Sequence, residues 1–245
     1  MTQFADLYLC PDLARKEKVK ELVFRASELG YHLIGISMPM DVKRGLVDFL
    51  WKICRDHNID LSMRVDLRPR SSNELLRSLK RVRRSFELVT VNCTSKVVAR
   101  QAAKDHRVDL LIFPSLDSKG HFFDIAEARL ASQGYAALEI NMKSLLQSEG
   151  FARARLLSFL RKDVYISRKH HIPIIISSGA TDSFGMREPC DLINFAELFD
   201  MTYDAALEAI STTPMSIVKR NREKLSHHYV MEGVRVVGKE KNCVG

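Results

Sequence analysis

Seven short apolar runs recur along the chain, each followed by a stretch whose apolar residues shift to helical spacing. The runs are FADLYL (4–9), HLIGIS (32–37), LSMRVD (61–66), ELVTVN (87–92), DLLIFP (109–114), AALEIN (136–141) and PIIISS (173–178). Their starts lie 28, 29, 26, 22, 27 and 37 residues apart. That spacing holds a strand, a helix of about a dozen residues and two short loops, the βα unit of a parallel sheet with crossover helices. Runs two to seven are dense in apolar residues without strict alternation, the pattern of strands covered on both faces. Seven units in series, with no nucleotide-binding switch-point motif, predict an α/β fold: a seven-stranded variant of the TIM-like (βα) barrel with extra C-terminal helices, over roughly 189–225.

The 245 residues, 46% hydrophobic and 28% charged, suit one such barrel. No Pro/Gly/Ser-rich linker breaks the alternation, so the expected organisation is a single α/β barrel domain over 1–226 and a partly disordered tail over 227–245. Within that tail VRVVG (234–238) is strand-like, but its flanking glycines and the KEKNCVG ending suggest fraying. The N-terminus lacks a basic segment leading an apolar core, and no apolar stretch approaches the roughly 18 residues of a bilayer span. The expectation is a cytoplasmic protein without a membrane partner. Cys10, Cys54, Cys93, Cys190 and Cys243 are odd in number and never spaced CxxC, and read as free thiols, mostly buried. A surplus of 38 Lys and Arg over 30 Asp and Glu leaves +8, which raises nucleic acid as a partner and makes the distribution of charge decisive.

Functional groups of such barrels gather where strands end, and here those segments carry donors and positive charge. Arg68 and Arg70 flank Pro69, which stiffens the turn and fixes two guanidinium forks suited to phosphate oxygens. Lys43, Lys96, Lys143, Arg153 and Arg187 stand behind them as candidate contacts to the phosphates of a nucleic acid. SSGATDS after the seventh run reads either as an anion cradle or as a capped glycine turn. His121 is the one histidine of these loops, and Asp66 and Glu139 are carboxylates that can face the lumen, each with an arginine or backbone partner as its plain explanation. No catalytic set and no metal set converge. Basic stripes recur on the helices: KRVRR (80–84), with no acid beside it, and Arg155, Lys162 and Lys169 with Arg161 and Arg168, opposite Leu156, Leu157, Leu160 and Val164. Asn73, Asp41 and Ser95 stand where three helices would be capped.

FADLYL, LGYHLIGIS, MRVDLRP, ARLLSFLRK, IPIIISSGA, MREPCDL and STTPMSIVKRN, in this order over about residues 3–222, resemble the archaeal and eukaryotic ribonuclease P protein component 3 family. The resemblance implies a barrel akin to the polymerase-and-histidinol-phosphatase metalloenzymes and a place in the ribonucleoprotein that trims 5′ leaders from precursor tRNA. It further implies a non-catalytic subunit that binds no cofactor, with Mg²⁺ acting through the catalytic RNA subunit. The implied partners are that RNA, ribonuclease P protein component 2 in a heterotetramer of two copies each, and the other protein components. The DLHxH metal motif of the related phosphoesterases aligns with Asp6 to Cys10, putting Tyr8 and Cys10 at the two histidine positions. Their SDxH motif aligns with Ser177 to Ala180, and these replacements remove ligands. The alternative reading is a metal-dependent phosphoesterase of that superfamily.

Overall fold

The computed structural model describes residues 2–113, 123–231 and 234–235. In it strands β1 (Phe4–Leu9), β2 (Tyr31–Ser37), β3 (Asp60–Leu67), β4 (Leu88–Asn92), β5 (Leu110–Ile112), β6 (Ala137–Asn141) and β7 (Ile174–Ser177) lie side by side in chain order. Every neighbouring pair is parallel. The crossovers run through α1 (Lys16–Glu28), α2 (Arg44–Asp56), α3 (Ser72–Val82), α4 (Lys96–Lys104), α5 (Ile125–Gln133), α6 (Met142–Gln147) and α7 (Gly150–Lys169). The segment just after the last strand meets the first strand through a bridge between Leu9 and Ala180 and a bond from Cys10 N to Ala180 O at 2.8 Å, so the sheet curls into a barrel. The expected seven-stranded TIM-like barrel is what the chain forms.

Two apolar layers lie between strands and helices. One collects Leu22, Ile34, Leu61, Leu79, Val91 and Val98, the other Ile140, Leu160, Ile176, Leu192 and Phe199. In α3 an apolar stripe is buried at Leu75, Leu79 and Val82, while its arginines face outward. On α7 the same holds for Leu156, Leu160 and Val164 against exposed Arg155, Arg161, Lys162, Arg168 and Lys169.

The extra helices, α8 (Pro189–Glu197), α9 (Tyr203–Ile210) and α10 (Thr212–Leu225), do more than extend the wall. Ile217 and Val218 of α10 join Ala5, Leu7, Leu33, Leu88, Leu110, Ala137 and Ile175 in one interior cluster, which places α10 as a plug in the N-terminal end of the barrel. Three consecutive side chains latch it. Arg220 reaches Asp109 Oδ1 (3.3 Å) and Tyr135 O (3.4 Å), Asn221 Nδ2 donates to Glu87 O (2.8 Å), and Arg222 pairs with Asp60 and Glu87 and donates to Leu61 O (2.8 Å). Beyond α10, β8 (Tyr229–Met231) and β9 (Val234–Arg235) form an antiparallel pair, β9 being the described part of the strand-like VRVVG run.

Local details depart from expectation. Ser95 does cap α4, its Oγ accepting from Val98 N at 3.3 Å. The cap of α3 is Ser71, which accepts from Glu74 N, and Asn73 lies inside the first turn. Helix α2 starts at Arg44, with Lys43 at the cap position making no side-chain bond, so Asp41 is too early to serve. The KRVRR segment does have an acid: Arg83 bonds Asp109 Oδ2 at 2.6 Å. Of the thiols, Cys54 and Cys93 are buried, Cys10 is half-buried and Cys190 is exposed. His121 and Cys243 lie outside the described residues.

Candidate functional site

Alternation along a strand puts Ser62, Arg64 and Asp66 of β3 on one face. That face is the barrel interior, because Arg64 meets Glu139 of β6 and Leu7 of β1, strands that are not its neighbours in the sheet. The Arg64 guanidinium is fully buried and fully engaged. NH1 and NH2 donate to the two oxygens of Glu139 at 2.7 Å each, Nε and NH2 donate to Asp66 Oδ1 at 3.0 and 2.7 Å, and NH1 donates to Leu7 O at 2.8 Å. The Tyr8 ring lies 3.9 Å from its Cζ, and Ser177 Oγ donates to Glu139 Oε1 at 2.7 Å. Burial works against the charge, but Glu139 and then Asp66 outweigh it and raise the Arg64 pKa further. Burial, then Asp66, pushes the Tyr8 phenol up to about 12.

A glycine makes this arrangement possible. The register of β1 on β2 is irregular between Asp6 and Leu9, and there the Leu7 carbonyl turns inward over Gly35. A Cβ at Gly35 would fall on Leu7 O and within 2.7 Å of Leu7 C. Gly179, at φ +68, is tied similarly to the Asn141 amide, which occupies the space a Cβ would need.

The two carboxylates that sequence reasoning singled out therefore share one arginine, the plain explanation. Arg64 itself was legible as an arginine in mid-strand with an acid two residues on, since such a charge is tolerated only when paired. A polynuclear metal centre does not fit here. The guanidinium sits between Glu139 and Asp66, Tyr8 stacks on it, and among the described residues no group of three or more His, Cys, Asp or Glu is placed to hold a metal ion.

Around this closed interior the rim carries the predicted cations. Lys143 and Arg187 line one cleft of about 280 Å³ with Ser178, Thr181 and Asp182, at the ends of β6 and β7. Arg187 NH1 is oriented by the carbonyls of Phe184 and Met186, 2.8 Å each. Exposed Arg68 and Arg70 follow β3, the backbone N of Arg70 donating to Glu74 Oε2 at 2.8 Å. Ser72 Oγ reaches Val97 O at 3.5 Å, which sets that turn against the first turn of α4, where Lys96 is exposed. Exposed Lys43 and Arg153 join neither group; Arg153 Nε is held by Ser148 O at 2.6 Å. In the SSGATDS turn, Ser178 Oγ accepts from Ala180 N and Asp182 Oδ1 accepts from Gly185 N, so the side-chain oxygens there serve the turn.

Sequence comparison gives a relative from Methanococcoides burtonii, "Ribonuclease P protein component 3", 30% identical over 94% of this chain and 92% of its own. Among solved structures, a chain of "archaeal Ribonuclease P with mature tRNA" superposes with a TM-score of 0.83 at 24% identity, covering 97% of this chain and 99% of that one. A putative prolidase from Bifidobacterium longum shares the barrel alone, with a TM-score of 0.59 at 14% identity over 90% of this chain and 70% of its own. Residues 3–226, from the first strand through the plug helix, match the family model of RNase P subunit p30, and the chain belongs to that family.

Proposed function

We propose that this chain is a protein subunit of ribonuclease P, the ribonucleoprotein that removes 5′ leaders from precursor tRNA, and that it breaks no bond itself. Membership of the p30 family across residues 3–226 carries the reading. The chemistry of the barrel supports it: the interior carboxylates Asp66 and Glu139 are spent on Arg64, while the rim offers cations to solvent. A folded catalytic RNA crowds its phosphates together. Cations that neutralise several of them release counterions and lower the Mg²⁺ needed to hold the active fold. In this reading Arg68 and Arg70 lead the contacts, Lys43, Lys96, Lys143, Arg153 and Arg187 support them, and Mg²⁺ belongs to the RNA. The protein partners are ribonuclease P component 2, in a tetramer of two copies each, and the remaining components. The chain works in the cytoplasm as one barrel domain over 1–226.

The test is precursor tRNA cleavage by the cognate RNA and component 2 at low Mg²⁺, with and without this chain. Addition should raise the rate, and a variant with Arg68, Arg70, Lys143 and Arg187 all changed to Gln should lose the gain most at high salt, with its melting temperature kept. Four lost phosphate contacts reduce the slope of log affinity on log salt by about 3 to 4. No change in rate on adding the chain would sink the proposal. Zn- or Mn-dependent phosphate-ester hydrolysis by the chain alone would establish the alternative.

A further inference from the structure

The opposite end of the barrel carries cations that neither the interior nor the rim uses. Residues preceding β4, β5 and β6 and the end of α10 converge there on a pocket of about 520 Å³. Arg84, His106, Arg107, Tyr135, Lys224 and Tyr229 line it, together with Arg83, and among the described residues no acidic side chain does. Two described acids nearby hold cations of this end in place. Asp109 is buried and shared by Arg83 and Arg220, and Asp105 holds Arg107 through bonds of 2.8 and 2.7 Å. Arg84 is exposed and makes no hydrogen bond or ion pair with a described residue.

The aromatic groups are arranged rather than scattered. Lys224 Nζ lies 4.1 Å and Arg220 Cζ 5.1 Å from the Tyr135 ring centroid, and the His106 ring sits 5.3 Å away, tilted by 56°. Tyr135 thus stations a cation and an exposed imidazole at the pocket wall. Tyr229 is half-buried, and Val230 and Met231 beside it are exposed. A duplex stacks its base faces away and presents base edges, sugars and phosphates, so it has no flat face to lay on an apolar, aromatic wall. An unstacked nucleotide has both a flat base to lay on such a wall and a phosphate to place on arginine.

We propose that this pocket at the N-terminal end of the barrel binds an unpaired nucleotide of single-stranded RNA, the base against Tyr229 and His106 and its phosphates on Arg84 and Lys224. The identity of the polymer as RNA rests on the ribonuclease P reading; the pocket and its charge do not.

The probe is a fluorescein-labelled ten-residue oligouridylate, titrated against the full chain by anisotropy. Tyr229→Ala should weaken binding about tenfold. Arg84→Gln should lower the slope of log affinity on log salt by about 0.7, as one lost phosphate contact on a single strand does. Lys18→Gln, an equal loss of charge on α1, should change neither, and the melting temperature of each variant confirms its fold. The proposal is overturned if the wild-type chain does not bind the oligomer, if an RNA duplex or polyglutamate competes equally well, or if Lys18→Gln weakens binding as much as Arg84→Gln. Precursor tRNA cleavage, run in parallel, separates the two ideas. A chain that stimulates cleavage without binding oligouridylate refutes this pocket alone, and one that binds without stimulating refutes the ribonuclease P reading alone.

Discussion

Asp6 is buried beside the Arg64 network, with Oδ1 accepting from Tyr8 N at 3.1 Å and Ser178 N at 3.2 Å, and Oδ2 accepting nothing. Burial lifts its carboxyl to about 6, against the pull of the Ser178 hydroxyl and the two backbone N–H groups. A carboxyl whose folded pKa lies above its unfolded value binds its proton more tightly in the native state. Its contribution to stability is therefore intact at acid pH and is lost as pH rises from about 4 through about 6. Between about pH 4.5 and about pH 7.5 this group alone costs the native state about 2 kcal/mol. Asp6→Asn, compared with the wild type by urea unfolding at those two pH values, should gain that amount on going to the higher one; an unchanged difference would show that Asp6 does not titrate in this range. Individual residues such as this one were only half legible in the sequence. Asp66 and Glu139 stand out as lumen-facing acids, but their common partner lies on one strand and reaches across the barrel, and no local pattern links positions 64 and 139. The rim cations are legible as charge at strand ends, while which of them share a cleft depends on how the loops after β6 and β7 fold.

Gly35 decides how two whole strands meet. The inward Leu7 carbonyl needs the space its missing Cβ leaves, and that carbonyl in turn accepts from Arg64. Gly35→Ala must push β1 off β2 or rotate the carbonyl away from Arg64, at a cost of about 1–3 kcal/mol or more. Gly45→Ala, in α2 with nothing near its Cβ position, should instead stabilise by about 0.5–1 kcal/mol. Thermal unfolding of the pair reads both signs, and a neutral Gly35→Ala would mean that the β1 irregularity is not required. The strands and crossover helices could be read from the sequence because burial on two faces and on one stripe imposes different periods on the apolar residues. The start of α4 was read correctly at Ser95, but that of α3 could not be, since Ser71, Ser72 and Asn73 are three adjacent side chains with equal capping chemistry, and backbone geometry alone selects Ser71.

At the scale of the molecule, the barrel is sealed from both ends by different means. Its C-terminal half is filled by a charged lock, Arg64 with Glu139 and Asp66, and its N-terminal half by the two aliphatic side chains of α10. The sequence showed a helical block after the seventh strand but gave no sign that one of its helices turns inward, because Ile217 and Val218 read equally well as an outer stripe. Both side chains are nearly inaccessible, 4% and 2% exposed, and they are the interior cluster's contribution from outside the sheet. Replacing both by Ala removes five methyl-sized groups from a site that the latched Arg220, Asn221 and Arg222 prevent from collapsing. The expected loss is about 4 kcal/mol, transfer and cavity terms together. Against the ~5–15 kcal/mol that holds a typical domain folded, this brings the barrel close to its threshold. Denaturant unfolding measures it directly, and a loss below about 1 kcal/mol would mean that the interior closes without α10, so that the helix decorates the barrel instead of completing it.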